Sequence, residues 1–336
     1  MNLTALAWKW VPRLPEGLAR AGFAGAADWA SWRRGKGVRQ LEANLRRVCP
    51  DLDRRALRRL VREAMRRYMR YYCEAFQLGK WPPERATGMV RLANEDRIRA
   101  ELGESRRRPD QAEVGGANSS SGSAVQAVLA LGHLGNWDLA GAWATRNLAP
   151  ITTVAERLRP EEVFQDFLAM RRHIGLNIIA LEPNKPVFRR LLEVTRKASA
   201  AAEPWLVPLL ADRDLGRGGL EVDFFGEKAL MAPGPAALAL ATGRPLYAVA
   251  MYREGAGYVL EFSDLVEAPP GLAKAEQVAA MTQSWASFLE DAIRRHPADW
   301  HMLQKVFVAD LDPARRARRN QAAPVEHDPA GRLGEA

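Results

Sequence analysis

Two titratable side chains, His133 and Asp138, are separated by four residues in the segment H-L-G-N-W-D. Residues 124–131 before them are apolar except for Gln126, and the residues from Trp137 onward have helical spacing, which predicts a buried strand, a glycine turn and a helix. Open α/β sheets place their chemistry at the end of such a strand. A neutral imidazole there can take a proton from an attacking hydroxyl. A carboxylate in the first helical turn either caps backbone amides or supports the charged imidazole.

A second group of carboxylates follows another apolar run. Residues 205–211 (WLVPLLA) predict a buried strand, and Asp212 and Asp214 come directly after it in the block D-R-D. The carboxyl ends of parallel strands meet at one edge of a sheet. This pair therefore strengthens the interpretation of the His133 turn as part of a site.

Other site chemistries lack their sequence patterns. A metal site could be assembled from His133, Asp138, Asp212 and His173, but no pair has the i, i+4 spacing of a helical zinc site. The patterns G-x-x-x-x-G-K-[ST], strand-following G-x-G-x-x-G and G-x-S-x-G are absent. No signature of a nucleic-acid-binding fold is present. We therefore predict no metal site, no cofactor and no nucleic-acid partner.

The composition is that of a globular protein with an excess of basic residues. Of the 336 residues, 47% are hydrophobic and 26% are charged, and the formal net charge is +9. Such a charge favours an anionic partner, whether nucleic acid, an anionic membrane surface or a polyphosphate. Two cysteines, Cys49 and Cys73, disfavour a disulfide framework. No segment reaches the ~18 uncharged apolar residues of a membrane span, so we expect a cytoplasmic protein.

The N-terminal part combines tryptophans with basic residues. Residues 1–34 hold four tryptophans, which fits an interfacial anchor and, equally, a helical hairpin packed on the protein. Apolar residues at helical spacing between positions 57 and 72 predict an amphipathic helix. Its other face carries eight arginines: Arg54, Arg55, Arg58, Arg59, Arg62, Arg66, Arg67 and Arg70. With only Glu63 as an acidic neighbour, this face predicts contact with an anionic membrane, the alternative being a solvated face.

The patterns divide the chain into four parts. We predict a helical, membrane-associating part over 1–103, a flexible low-complexity insertion over 104–123, an α/β core over 124–311 and a disordered tail over 312–336. Within the core, β-branched apolar runs alternate with helical patterns. This alternation predicts a mixed central β-sheet flanked by helices, preceded by a helical N-terminal region.

The segment AVLALGHLGNWDLAGAW resembles the H-x-x-x-x-D turn of the lysophospholipid and lauroyl acyltransferase superfamily. Four further blocks, VAERLRPEEVFQDFLAMRRHIGLNII, LLADRDLGRGGLEVDFFGE, APGPAALALATGRPL and HPADWHMLQKVF, are similar to the phosphatidylinositol mannoside acyltransferases of actinobacteria. The similarity covers roughly residues 6–308. The four blocks are much more specific than the turn alone.

The resemblance implies a glycerolipid acyltransferase-like fold and an acyl-CoA-dependent O-acyltransferase. The enzyme would transfer a fatty acyl group from acyl-CoA to a mannose hydroxyl of a phosphatidylinositol mannoside. Acyl-CoA would be a co-substrate, with no cofactor. The resemblance also implies a peripheral protein on the cytoplasmic face of the plasma membrane.

The same resemblance implies roles for individual residues. His133 matches the family's catalytic histidine and Asp138 its motif aspartate. Asp212 is the best match for a third acidic residue that contacts the histidine, and Glu203 is the alternative because residues 197–204 look like a local insertion. His133 would act as general base, and Asp212 would orient it and stabilise the imidazolium. The backbone amides of 134–136 are candidate oxyanion donors.

Six further residues are predicted to contact substrate: Glu156, Arg157, Arg171, Arg213, Asp214 and Arg217. Arg213 and Arg217 are candidates for the phosphates of CoA or of the inositol, because guanidinium groups bind phosphate bidentately. Glu156, Arg157 and Arg171 are candidates for the sugar site. The alternatives are surface loop arginines for the first two and a solvated helix face for Arg171.

Two other functions stay open from the sequence. One is a lauroyl- or lysophospholipid-type acyltransferase with another glycolipid or phospholipid acceptor. The other is a non-enzymatic, basic, membrane-associated scaffold with a decayed site. The intact set of His133, Asp138 and Asp212 disfavours the scaffold.

Overall fold

The computed structural model describes residues 3–103, 124–155, 157, 160–181, 187–214 and 218–312. The low-complexity insertion predicted over 104–123 lies outside these ranges, and so does the predicted tail apart from its first residue.

The N-terminal third is mainly helical, as the sequence predicts. The elements in chain order are α1 (Leu3–Trp10), α2 (Glu16–Arg33), α3 (Lys36–Val48), α4 (Arg54–Leu78), α5 (Pro83–Gly88), β1 (Val90–Leu92) and α6 (Glu95–Glu101). The long helix α4 begins after Asp53, whose carboxylate accepts a hydrogen bond of 2.6 Å from the amide of Ala56. This satisfies one of the free N–H groups that every helix start leaves.

The second part alternates strands with helices. Its elements are β2 (Gln126–Leu131), α7 (Trp137–Asn147), β3 (Ile151–Ala155), α8 (Glu161–His173), β4 (Leu176–Ala180), α9 (Val187–Ala200), β5 (Trp205–Leu210), β6 (Leu220–Phe224), β7 (Glu227–Met231), α10 (Gly234–Thr242), β8 (Leu246–Glu254), β9 (Gly257–Phe262) and α11 (Lys274–Arg295). Short 3₁₀ turns lie at 11–13, 297–299 and 308–310.

Seven strands form one mixed sheet in the order β1-β9-β8-β2-β5-β3-β4, and β6 and β7 form a separate hairpin. Within the seven-stranded sheet only β8 and β9 pair in antiparallel fashion. The predicted mixed α/β fold with a helical N-terminal region is therefore confirmed. The sequence did not predict β1, a three-residue strand too short to show a period, or the second strand of the hairpin.

Neighbouring residues along the central strands face opposite sides of the sheet, and each side has its own core. Ala127 and Leu129 of β2 pack with α4 and α7 residues, whereas Val128 and Ala130 pack with α10 and α11. Trp285 of α11 is completely buried. A separate apolar cluster joins α2, α3 and α4. The strand ends that carry the predicted site are therefore held from both faces.

The basic face of α4 is partly neutralised, contrary to the prediction of a single-sign face. Four of its eight arginines form ion pairs of 2.5–2.7 Å with carboxylates from several parts of the chain: Arg62 and Arg66 with Asp28, Arg67 with Asp299, and Arg70 with Glu74. The other four, Arg54, Arg55, Arg58 and Arg59, are exposed and form no ion pair with any residue that the structure describes. Ion pairs within the fold thus neutralise four of the eight arginines on this face.

The N-terminal tryptophans divide between the two predicted roles. Trp8 packs edge-on against Phe76 and Phe167, with ring centroids 4.8 and 5.0 Å apart. Trp10, Trp29 and Trp32 are 54%, 60% and 77% exposed. Of the helices that the structure describes, none is both long and apolar enough to cross a membrane.

Candidate active site

The H-x-x-x-x-D turn joins β2 to α7 and depends on a glycine. Gly135 has φ +66°, and a Cβ there would collide with the carbonyl oxygen of Met251. Only glycine accepts both conditions without strain. Asn136 then caps α7, because its Oδ1 accepts a 3.0 Å hydrogen bond from the amide of Leu139. Gly135 and Asn136 therefore fix the backbone conformation of the turn between β2 and α7.

His133 is paired with Asp212 across the sheet. Its Nδ1 lies 2.6 Å from Oδ1 of Asp212, and its backbone N–H donates to Oδ2 of the same carboxylate at 2.9 Å. The strand pairing explains this contact: Leu131 of β2 is opposite Leu210 of the parallel strand β5, and each functional residue follows two positions later. Nδ1 is therefore engaged, and the other ring nitrogen, Nε2, is the one left for substrate on a side chain that is 31% exposed.

Asp212 is completely buried and ionised. The indole N–H of Trp300 donates to its Oδ2 at 3.0 Å, in addition to the two His133 contacts. Burial alone would raise the pKa of Asp212, but the charge and hydrogen bonds of His133 and the hydrogen bond from Trp300 hold the pKa below its ordinary value. Asp212 is thus suited to orient the imidazole and to stabilise its protonated form. Glu203, the alternative from the sequence, is exposed, and its backbone carbonyl accepts from Gln126.

Asp138 lies in a separate buried network. Arg171 donates to its two carboxylate oxygens at 2.7 and 3.3 Å, and the hydroxyl of Tyr71 donates at 2.8 Å. Burial would lower the pKa of Arg171, but Asp138 raises it above its ordinary value. Burial and the charge of Asp138 raise the pKa of Tyr71. The network ties the start of α7 to α4 and α8, so Asp138 holds the turn in place.

A second buried carboxylate supports the turn from α4. Glu74 accepts hydrogen bonds from Asn136 Nδ2 at 2.9 Å and from the hydroxyl of Tyr258 at 2.7 Å, and it pairs with Arg70 at 2.7 Å. Burial and the charge of Glu74 raise the pKa of Tyr258. Because Asn136 also caps α7, Glu74 stabilises the same turn as Asp138 from the other side.

His301 closes the site from the C-terminal segment. Its backbone N–H donates to the carbonyl of His133 at 2.8 Å, and its Nε2 lies 3.1 Å from the carbonyl of Gly135. Burial lowers the pKa of His301 to about 3, so the ring is neutral. A carbonyl can only accept, so Nε2 carries the proton and Nδ1 is an acceptor. That Nδ1 is buried and has no hydrogen-bond partner among the described residues.

Two of the three amides proposed as oxyanion donors are already engaged. The amide of Leu134 donates to the carbonyl of Gly132 at 2.7 Å, and that of Gly135 donates to the carbonyl of Asp299 at 3.0 Å. The first hydrogen bond lies within the turn, and the second holds the turn against the C-terminal segment. An oxyanion hole formed by the amides of Leu134 and Gly135 would require both of these hydrogen bonds to break.

The predicted substrate-binding residues have different locations. Arg171 is mostly buried against Asp138 rather than on a solvated helix face. Arg157 is half exposed and pairs with Glu161 at 2.8 Å. Arg213 and Asp214 follow Asp212 and are half-buried, and the amide of Asp214 donates to the carbonyl of Leu230. The remaining two, Glu156 and Arg217, lie outside the described residues.

An apolar cavity of about 90 Å³ lies beside the Asp138 network. Trp137, Asp138 and Arg171 line one part of it, and residues of six sheet strands and of α7 line the rest. The strand residues include Leu129, Leu131, Ile151, Val154, Leu210, Val249, Leu260 and Phe262. We refer to it as the apolar cavity. In the described ranges, no group of three or more His, Cys, Asp or Glu side chains is placed to hold a metal ion.

Sequence reasoning missed four residues that complete the site: Tyr71, Glu74, Trp300 and His301. Trp300 and His301 belong to the block HPADWHMLQKVF, and the similarity of this block to known acyltransferases could have indicated them as site residues. Glu74 interrupts an arginine-rich helix, and a lone carboxylate on an apolar face is a sign of a specific buried partner. Nothing in the sequence distinguishes Tyr71 from its neighbour Tyr72.

The chain is similar over almost its whole length to known acyltransferases. The model of the family described as bacterial lipid A biosynthesis acyltransferase matches residues 1–308. A protein of Mycolicibacterium smegmatis named phosphatidylinositol mannoside acyltransferase is 35% identical over 314 residues, which are 94% of this chain and 93% of that protein. A protein of the same name from Mycobacterium tuberculosis is 35% identical over 318 residues, 94% of this chain and 90% of the relative. The chain therefore belongs to the bacterial lipid A biosynthesis acyltransferase family and is an acyltransferase.

Proposed function

We propose that this acyltransferase moves a fatty acyl group from acyl-CoA to a mannose hydroxyl of a phosphatidylinositol mannoside, with His133 as the general base. The observation that carries the proposal is the 2.6 Å contact between His133 Nδ1 and the buried Asp212. The acceptor comes from the names of the relatives, which align over almost the whole chain. Acyl-CoA as donor comes from the sequence resemblance.

The two ring nitrogens of His133 have different roles in the reaction, because Nδ1 contacts Asp212 and Nε2 faces the substrate. Nε2 of His133 removes the proton of the acceptor hydroxyl as its oxygen attacks the thioester carbonyl. The carbon–sulfur bond then breaks, the CoA thiolate leaves, and the imidazolium returns the proton to it. Asp212 stabilises the imidazolium in between, because its carboxylate is completely buried and ionised.

The acyl chain needs an apolar site close to His133. The apolar cavity supplies one: it lies beside Trp137, whose ring is 5.6 Å from that of His133. At about 90 Å³ it has room for part of a chain, so we assign it to the inner end of the acyl-binding site. Arg157, Arg213 and Asp214 stay candidates for contacts with the polar parts of the two substrates.

We place the enzyme at the cytoplasmic face of the plasma membrane as a peripheral protein. The support is a set of four exposed apolar side chains on α1 and α2, Trp10, Leu18, Trp29 and Trp32, which is called here the tryptophan surface. Trp side chains are favoured at the interface between lipid and water. The exposed arginines at the start of α4 would add about 1 kcal/mol each near an anionic leaflet.

The test is acyl transfer by the purified full-length protein. Mixed acyl-CoAs are offered with phosphatidylinositol mannoside, a lysophospholipid or a lipid A precursor as acceptor, and products are identified by mass spectrometry. We expect acylated mannoside, and a rate about 10²–10⁴-fold lower for His133→Ala. His173→Ala, an exposed histidine at the end of α8, serves as the control and should retain full activity.

Two results would contradict the proposal. Undiminished transfer by His133→Ala would exclude this residue as the base. Transfer to one of the other acceptors but not to the mannoside would assign a different substrate, as in the alternative of a lauroyl- or lysophospholipid-type enzyme. Binding to membranes without any transfer would favour the scaffold.

A further inference from the structure

A second cavity, of about 210 Å³, lies between α2, α4 and the end of β8. Five arginines and one carboxylate line it: Arg20, Arg66, Arg67, Arg70, Arg253 and Glu63. We call it the basic cavity. It shares no lining residue with the apolar cavity. Four of the five arginines have a carboxylate partner, whereas Arg253 forms no ion pair with any residue that the structure describes.

Arg253 lines the basic cavity, and one nitrogen of its guanidinium group has no hydrogen-bond partner among the described residues. Its Nη2 donates to the carbonyl of Gly255 at 2.8 Å, and its backbone N–H donates to Asp299 at 3.1 Å. Its Nη1 is buried and has no hydrogen-bond partner among the residues that the structure describes. A buried charged donor without a partner is costly, so this N–H group indicates an acceptor that the cavity is shaped to receive.

Three other arginines are held in position by carboxylates that do not line the cavity. Arg66 pairs with Asp28 at 2.7 Å, Arg67 with Asp299 at 2.6 Å and Arg70 with Glu74 at 2.7 Å. Each guanidinium group has five N–H donors, and these ion pairs use only some of them. The side chains are therefore fixed before a ligand arrives, which reduces the entropy lost on binding.

We propose that the basic cavity binds a phosphate group. A phosphate presents several charged oxygens to several donors, whereas a single carboxylate would leave most of the guanidinium groups unused. The volume is sufficient for a phosphate with a few ordered waters. The site is inferred from charge and shape alone and does not depend on the identity of the acyl acceptor.

Two contacts connect the basic cavity to the catalytic turn. Glu74, the partner of Arg70, also binds Asn136, and the backbone carbonyl of Asp299, the partner of Arg67, accepts from Gly135. A phosphate bound there would thus be connected to the turn through two residues, Arg70 and Glu74 on one route and Arg67 and Asp299 on the other. If the proposed function holds, its source is either the phosphodiester of the glycolipid or the phosphates of CoA.

The experiment measures phosphate binding without any acyl transfer, so its outcome is independent of the proposed function. Full-length protein in low-salt, phosphate-free buffer is titrated with inorganic phosphate, with binding followed by calorimetry and by Tm. We expect saturable binding that raises Tm, and at least tenfold weaker binding for Arg253→Met. Arg39→Met removes an exposed arginine of α3 that does not line the cavity, and it should bind phosphate like the unmodified protein.

Arg20→Met provides a second test in case Arg253→Met does not fold. Arg20 lies at the rim with its side chain 42% exposed, so its loss should weaken phosphate binding with little effect on folding. Absence of saturable phosphate binding, or equal affinity in both variants and the unmodified protein, would overturn the proposal. Competition by glycerophosphoinositol but not CoA would identify the lipid as the source, and the reverse would identify the donor.

Discussion

Arg171 binds Asp138 through both carboxylate oxygens, at 2.7 and 3.3 Å, while His133 binds Asp212. The two residues of the H-x-x-x-x-D motif therefore have different partners and different tasks. His133 belongs to a partly exposed pair at the ends of β2 and β5. Asp138 is 1% exposed and belongs to a buried network that joins three helices.

Removing Arg171 should destabilise the fold, because Arg171 is the cation paired with the buried carboxylate of Asp138. Arg171→Met leaves the buried Asp138 carboxylate without its cation, and we expect the free energy of unfolding to fall by about 3–5 kcal/mol. Urea denaturation measures the loss. Adding Asp138→Asn should recover part of it. Arg172→Met, which changes the exposed neighbouring residue, is the control, and an equal loss in that variant would contradict the prediction.

Asp212 and Glu203 can be separated by activity. Asp212→Asn removes the charge beside His133 but keeps the shape, and we expect the rate of acyl transfer to fall by about 10²–10⁴-fold. Glu203→Gln should transfer at the rate of the unmodified protein, because the side chain of Glu203 is exposed and only its backbone carbonyl contacts the core. A large loss in Glu203→Gln with a small one in Asp212→Asn would reverse the assignment.

The lowered pKa of Asp212 predicts a pH dependence of stability. The stabilisation from this carboxylate is fully present above its unfolded pKa of about 3.9 and is lost as the pH falls through the lower folded value. The difference in free energy of unfolding between the unmodified protein and Asp212→Asn should therefore be constant above about pH 5 and shrink on further acidification. Urea titrations at several pH values measure it. A difference that stays constant below pH 4 would show that the charge is not involved.

Gly135 should tolerate no side chain. Gly135→Ala combines a left-handed backbone with a collision against Met251, whereas Gly226→Ala in the β6–β7 turn has φ +76° and open space around it. We expect about 1–2 kcal/mol for Gly226→Ala, from the backbone alone, and a clearly larger loss for Gly135→Ala. Thermal unfolding compares the two. Equal losses would mean that the turn can move away from Met251.

The tryptophan surface should control membrane binding without affecting the fold. Trp29→Ser with Trp32→Ser should reduce co-sedimentation with anionic vesicles and leave Tm unchanged, since both side chains are at least 60% exposed. Leu265→Ser, at a 45% exposed apolar residue outside the N-terminal helices, is the control. High salt should release part of the bound protein by screening the arginines. Unchanged vesicle binding by the double variant would refute the assignment of this surface.

Local pattern predicted much of this protein correctly. Apolar runs and helical spacing placed β2, the start of α7 and β5 within two residues of their observed bounds, because period and turn residues act over a few neighbouring positions. The glycine turn with His133 and Asp138 was visible for the same reason. The arginine stripe of α4 was visible as well, but the pairing of four of its members was not.

Partnerships between distant residues required the tertiary structure. Asp212 meets His133 across 79 positions because β5 lies next to β2, and no short-range pattern specifies which strands are neighbours. Arg171 and Tyr71 reach Asp138 from helices on either side of the motif in sequence. The sequence by itself determined which residues stand at the turn. Strand order and helix packing decided which charges stand beside them, and that choice separates the base from the residue that holds the turn.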